Sequence, residues 1–253
     1  MRARRGLIRL LIVGLCAMAT LAPAPPIAAG PDPVGAYLDS VRNEPDRLSA
    51  FLRAMPKGGD LHMHLTGATS TESLLRFAVA DGLCIDAATA EANPAPCRAG
   101  QRAAADTDHD PGFRNAVIAA WSMKGFVAGA ESGHDHFFAT FGKFGLASDG
   151  HAGDMLAEVA ARAVGQNEYY IEPLATPGFP AAQALAQKVG YDADLASMRA
   201  RMTANGAMDR IAADVSKQVD GWFARFRAVL RCGSGSGSGS GSGEADAACD
   251  LPV

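Results

Sequence analysis

Basic charge is scarce in this chain. Lys and Arg together number 23 against 27 Asp and Glu, for a net charge of −4. Four of the arginines, Arg2, Arg4, Arg5 and Arg9, crowd the first nine residues. Without residues 1–29 the balance is 19 against 27, or −8. A surface that acidic repels phosphate backbones, which argues against a nucleic-acid partner. A long apolar run is also missing: the stretch from Leu7 to Leu21 falls short of the roughly 20 residues that a membrane-spanning helix needs. No phosphate-cradling P-loop and no dinucleotide fingerprint occurs. No G-x-S-x-G nucleophile elbow stands between a strand and a helix.

The first 29 residues have the layout of a secretory leader: a basic start, a short apolar core, then small residues and prolines up to Ala28-Ala29-Gly30. A retained N-terminal anchor is the alternative. Cys16 lies inside this stretch, preceded by Leu15, where a lipoprotein would need a small residue. Four cysteines remain beyond the leader: Cys84, Cys97, Cys232 and Cys249. An even number in an exported chain suggests disulfides, with three possible connectivities. The local pairs Cys84–Cys97 and Cys232–Cys249 are the most economical, and free buried thiols are the alternative. The chain is thus expected in a secreted or periplasmic compartment.

Hydrophobic spacing organises the rest. Tyr37, Leu38 and Val41, then Leu48, Phe51, Leu52 and Met55, recur at helical intervals on either side of Pro45, so residues 30–55 form a helical segment. Pro56, Gly58 and Gly59 end it. LHMHLT alternates as a strand, with Leu61, Met63 and Leu65 expected on the face opposite His62 and His64. A helix follows, with Ser70 as its N-cap and Gly82 as its stop. Residues 83–112 carry two cysteines and three prolines and have the character of an irregular insertion. Helices are expected near 113–124 and 134–144, then AGDMLAEVAARAVGQN as an amphipathic helix. EYYIEPLA is the second strand, and residues 181–231 are helical in two or three pieces. Residues 233–243 are a flexible Gly-Ser linker with a mean reach of about 18 Å. The remnant 244–253 follows, with DLPV as the start of a third strand.

His62 and His64 are two of only six histidines. Strand residues i and i+2 share a face, so both imidazoles project together and can hold one metal ion. The bland alternative is a pair of histidines on a half-exposed strand. Their setting, a Gly-Gly-Asp entry and an immediate exit through Gly67 to a helix, suits a βα unit with ligands at the C-terminal end of its strand.

MPKGGDLHMHLTGATSTESLL resembles the first strand and loop of the adenosine deaminase family, in particular its secreted branch, the adenosine deaminase-related growth factors and their bacterial relatives. The similarity continues through DGLC, ESGHDHFFATFGKFG and MLAEVAARAVGQNEYYIEPLATPG, and so covers most of residues 34–231. The resemblance implies an α/β fold of the metallo-dependent hydrolase type, a (β/α)8 TIM barrel preceded by N-terminal helices. It implies a Zn2+ ion held by His62 and His64. In the family, later strands add a third histidine, a glutamate, another histidine and an aspartate; a zinc-bound hydroxide attacks C6 of adenine, giving inosine and ammonia. The N-terminal helices contribute to dimers in the secreted branch, which makes Val34–Met55 a candidate homodimer interface.

Two departures stand out. Thr66 occupies the place where the intracellular enzymes carry a ribose-contacting aspartate. Only two barrel strands are evident, so the barrel is expected to be incomplete, stopping after about strand 2–3, with no counterpart of the later catalytic positions. The HAGD of residues 151–154 is reminiscent of the family's HAGE motif, but it precedes the second strand and Asp154 is expected as a first-turn helix acid. Within GHDHFF, His136 is expected in a structural or surface role, since helical i and i+2 do not face each other. His134 is a candidate substrate contact by resemblance to a segment that lines the purine pocket. His109 is expected to be solvated. Glu172 should point inward beside Tyr170, as a hydrogen-bond partner at the substrate site or as a satisfied buried acid. The Pro-Cys-x-x-Cys element of cytidine deaminases is absent, since Pro96-Cys97 lacks the second cysteine. The leading function is therefore a secreted zinc-dependent adenosine deaminase of which this chain forms an N-terminal part, inactive alone. Another HxH-type amidohydrolase and a non-catalytic binding or growth-factor-like module are the competing readings.

Overall fold

The computed structural model describes residues 30, 32–129, 131–233 and 247–253. The leader, 1–29, and nearly all of the Gly-Ser linker lie outside them. The described residues form a mixed α/β fold in two compact units, divided between Leu52 and Arg53.

The described residues of the first unit are helical. α1 (Pro33–Val41) is opened by Asp32, whose Oδ1 accepts from the Gly35 amide at 2.9 Å, with proline at the first helical position. α2 (Pro45–Ala54) also starts on proline. Tyr37 and Phe51 pack with ring centres 5.7 Å apart.

The second unit begins with β1 (Gly58–His64), a single-turn helix α3 (Leu65–Ala68) and α4 (Thr71–Ala80). Ser70 is the N-cap of α4, its hydroxyl accepting from the Ser73 amide, and Gly82, at φ +64°, follows the helix end. Residues 83–112 are more ordered than their composition suggests. β2 (Cys84–Asp86), β3 (Ala92–Asn93) and β4 (Gln101–Ala103) form a small antiparallel sheet in the order β3-β2-β4, followed by a 3₁₀ turn at Ala104–Asp108. Leu83, Ile85 and Ala104 belong to the main core, so this segment is no surface appendage. Strands of two and three residues are too short to show alternation, which is why sequence periodicity misses them. The Cys84–Cys97 disulfide (2.00 Å) ties this sheet together, and the Trp121 indole donates to the Ala90 carbonyl at 2.7 Å.

α5 (Pro111–Ala120), α6 (Gly133–Ser148) and α7 (Ala152–Gly165) lead to β5 (Glu168–Leu174). β5 pairs with β1 in parallel across the sequence between them, the arrangement a βα unit requires. α8 (Phe179–Val189), α9 (Leu195–Thr203) and α10 (Ala207–Leu230) complete the order. α7 is the central element: Met155, Leu156, Val159, Ala160 and Ala163 are buried, packed against β5 on one side and α10 on another. The Cys232–Cys249 disulfide (1.97 Å) returns the chain to the body, where Ala248 and Leu251 enter the core. The Pro252 carbonyl there accepts from the Ile171 amide at 3.2 Å, so DLPV meets β5 on its edge away from β1.

Among the described residues there is no closed barrel: the parallel sheet has two strands, β1 and β5. No described helix is long and apolar enough to cross a membrane.

Candidate metal and ligand site at the end of the first strand

The register between β1 and β5 decides where the histidines point. Asp60 opposes Ile171 and Met63 opposes Pro173, so β1 carries one extra residue over that interval, a bulge. Asp60 braces it, its Oδ1 accepting from the His62 amide at 3.1 Å. The extra residue changes the alternation. Met63 keeps to the core side, whereas Leu61, expected beside it, is 64% exposed. Strict period-two counting therefore misplaces Leu61, because it assumes a strand without a bulge. His62 and His64 do project together: their ring centres lie 5.6 Å apart. His64 opposes Leu174, so it shares a sheet face with Tyr170, Glu172 and Leu174, the face turned away from buried Ile171. Gly59 opposes Tyr170, and a Cβ there would lie 3.1 Å from the tyrosine Cβ, so the glycine leaves room for that close approach.

Glu172 is exposed and accepts from the Tyr170 hydroxyl at 2.8 Å. It is thus a hydrogen-bonded acid on the histidine face, as alternation suggests, and not a buried one. The bond raises the tyrosine hydroxyl above its usual range, since a neighbouring carboxylate opposes phenolate formation.

The histidine strand ends between two hollows. One, about 610 Å³, is apolar and lined by Met63, His64, Gly67 and three phenylalanines of α6, Phe137, Phe138 and Phe141. The other, about 560 Å³, is more polar and is lined by His64, Thr66, Ser148, Asp149, Gln218 and Trp222 among others. His134 does not line either. It is largely exposed, bonded to Asp135 at 3.0 Å, and reaches the first hollow only through Phe138, 4.8 Å away ring to ring.

Two of the remaining histidines, His151 and His136, have structural partners. His151 stacks on Phe77 at 4.1 Å and bonds to Asp81 at 2.9 Å, joining the end of α4 to the start of α7. Asp154, in the first turn of α7, takes a two-pronged bond from Arg225 of α10, with contacts of 2.7 and 2.9 Å. The HAGD stretch is therefore a helix start and helix–helix contact. His109 is exposed.

His136 has acceptors on both ring nitrogens: Glu131 Oε1 at 2.7 Å from Nδ1, and the Ser122 and Ala119 carbonyls at 3.0 and 3.2 Å from Nε2. A neutral imidazole has one N–H and cannot serve both sides. The Glu131 bond first, then the Ser122 carbonyl, raises its pKa above the ordinary 6.5. A raised folded-state pKa stabilises fully below the ordinary value, and the contribution is lost as pH rises through the folded value. Proteolysis within residues 121–132 is accordingly expected to accelerate as pH passes from 6 to 9, and His136→Asn should flatten that dependence. A pH-independent cleavage rate in the parent protein would refute this role for His136.

His62 and His64 fit the first two positions of a zinc site: they share one face, and their ring spacing suits a common ion at Zn–N distances of about 2 Å. A catalytic zinc takes at least three protein ligands. Among the described residues no group of three or more His, Cys, Asp or Glu side chains could hold an ion. The two histidines by themselves are fewer than the three ligands such a centre takes. No known family model matches the chain, and no curated protein or solved structure matches it.

Proposed function

We propose that this chain carries the first metal-binding strand of a secreted, zinc-dependent adenosine deaminase-type hydrolase. The supporting observation is the parallel β1–β5 pair, which presents His62 and His64 together at the strand end beside an apolar hollow walled by phenylalanines. In this reading His62 and His64 hold Zn2+, and the flat apolar hollow takes a purine nucleoside. The Tyr170–Glu172 pair supplies a polar contact on the same face, His134 supports Phe138 from outside, and the helical segment Val34–Met55 forms a homodimer interface. No catalytic step follows from two ligands, so the described residues by themselves bind and orient without turning substrate over.

The donor count favours a second reading as well, a non-catalytic secreted module that retains a histidine pair. Zinc titration against a chromogenic chelator, coupled to an absorbance assay of adenosine-to-inosine conversion, separates these. The expected result is weak, exchangeable zinc, lost in His62→Ala and in His64→Ala, with negligible turnover. Stoichiometric zinc that survives both substitutions would remove the site, and robust turnover by the chain alone would overturn the incomplete-centre reading.

A further inference from the structure

Directly after His64 the chain makes a single turn, α3, and His64 is the residue that caps it. A four-residue helix cannot hold itself in water, so something else must set its position. One side is Phe141: a Cβ on Gly67 would lie 3.2 Å from its ring, which presses the turn against α6. The other side is reached from α7. Arg162 Nη1 donates to the Ala68 carbonyl at 2.7 Å, and Glu158 Oε1 accepts from the Ser70 amide at 3.0 Å. Arg162 Nη2 also donates to Glu158 Oε1, closing the bracket. Within the turn, Thr69 bonds back to the Leu65 carbonyl through its hydroxyl at 2.9 Å, and both residues are buried.

An i,i+4 pair that only stabilised α7 would explain the Glu158–Arg162 contact. It would not explain two bonds to backbone groups 88 and 94 residues away. Nor would it explain why Glu158 is drawn in so far that its Oε2 is buried without a hydrogen-bond partner among the described residues. A carboxylate half-satisfied in that position carries a desolvation cost, and what it gains there is a hold on the chain at Ser70.

We propose that Glu158 and Arg162 are positioning residues for His64: they clamp the turn that follows it and so keep its imidazole on the same face and at the same distance from His62. The proposal rests on the zinc reading of the histidine pair. Groups that orient a ligand from outside typically change metal affinity by 10–100-fold when removed.

The test uses the full chain and Zn2+ alone, titrated against a chromogenic chelator, with ¹⁵N-histidine spectra recorded in parallel. Arg162→Lys keeps the charge but loses the two-directional donor, and Glu158→Gln keeps an acceptor for Ser70 but loses the ion pair. Each is expected to weaken zinc about tenfold and to shift the His64 ring signals. Asp154→Asn, which weakens the α7–α10 ion pair with Arg225 but leaves the bonds to Ser70 and Ala68 in place, controls for lost stability and should leave affinity unchanged. Equal affinity in all variants overturns the clamp, as does an equal loss in Asp154→Asn. If the parent protein binds no zinc, the metal reading fails by itself, and the spectra decide the clamp. His64 signals that move in Arg162→Lys and Glu158→Gln but not in Asp154→Asn uphold it; unmoved signals overturn it.

Discussion

Gly153→Ala is expected to destabilise the protein by about 2 kcal/mol, the middle of the range for forcing atoms into a packed interior. The sign is the informative part. In an exposed helix interior the same change stabilises by about 1 kcal/mol, because alanine is the better helix former. At Gly153 the helices approach too closely for that. A Cβ would lie 2.6 Å from the Trp222 carbonyl oxygen and 2.6 Å from the Arg225 Cβ. Backbone cannot swing aside as a side-chain tip can, so α7 and α10 would have to separate, weakening the Asp154–Arg225 bond next to the contact. Gly165, at the other end of α7, has nothing within 4 Å of its Cβ position and provides the internal comparison. Urea unfolding should show a lower midpoint for Gly153→Ala and an unchanged or higher one for Gly165→Ala. A Gly153→Ala protein as stable as its parent would mean that α7 and α10 do not pack this closely.

Replacing both Cys232 and Cys249 with serine should cost more, about 3 kcal/mol for a closed loop of this length in the chain-entropy account. The two are 17 residues apart in sequence. The bridge does more than shorten the unfolded chain. It delivers Ala248 and Leu251 to the core and the Pro252 carbonyl to the Ile171 amide. The Gly-Ser run between the cysteines carries no apolar side chain, so without the disulfide the docked tail depends on Ala248, Leu251 and the Pro252 carbonyl. Hydrogen exchange should therefore accelerate in residues 168–174 of the double variant, well beyond any change in β2. Unaltered protection of that strand would show that the tail holds by its apolar contacts alone.

How far the sequence carries depends on what kind of signal each element leaves. α7 is legible because Met155, Leu156, Val159, Ala160 and Ala163 fall on one helical face, and the structure buries all of them. The Ser70 cap and the Gly82 stop are local, and local rules suffice for them; the break at Pro45 is likewise a local signal, and the local cysteine pairs, favoured on economy alone, are the ones the structure bonds. The small sheet of residues 84–103 is not legible, since its strands are shorter than any period. The bulge at Leu61 is missed for a related reason: it depends on β5, about 110 residues further on, whose Ile171 and Pro173 fix which residues of β1 can pair. His136 shows the same limit. Spacing argues it away from a metal, but its fully occupied ring appears only when Ser122, Ala119 and Glu131 converge on it.

For this protein the sequence by itself determined the Ser70 helix start and that His62 and His64 share a face, because each follows from geometry within a few residues; it favoured the local cysteine pairs, and the structure decided them. Only the tertiary structure decided what surrounds that face. Long-range pairing with β5 set the bulge and brought Tyr170 and Glu172 alongside, and α6 supplied the phenylalanine wall. The reach of Glu158 and Arg162 back to Ser70 and Ala68 likewise joins groups some ninety residues apart, a closeness that no spacing rule encodes and that packing alone creates.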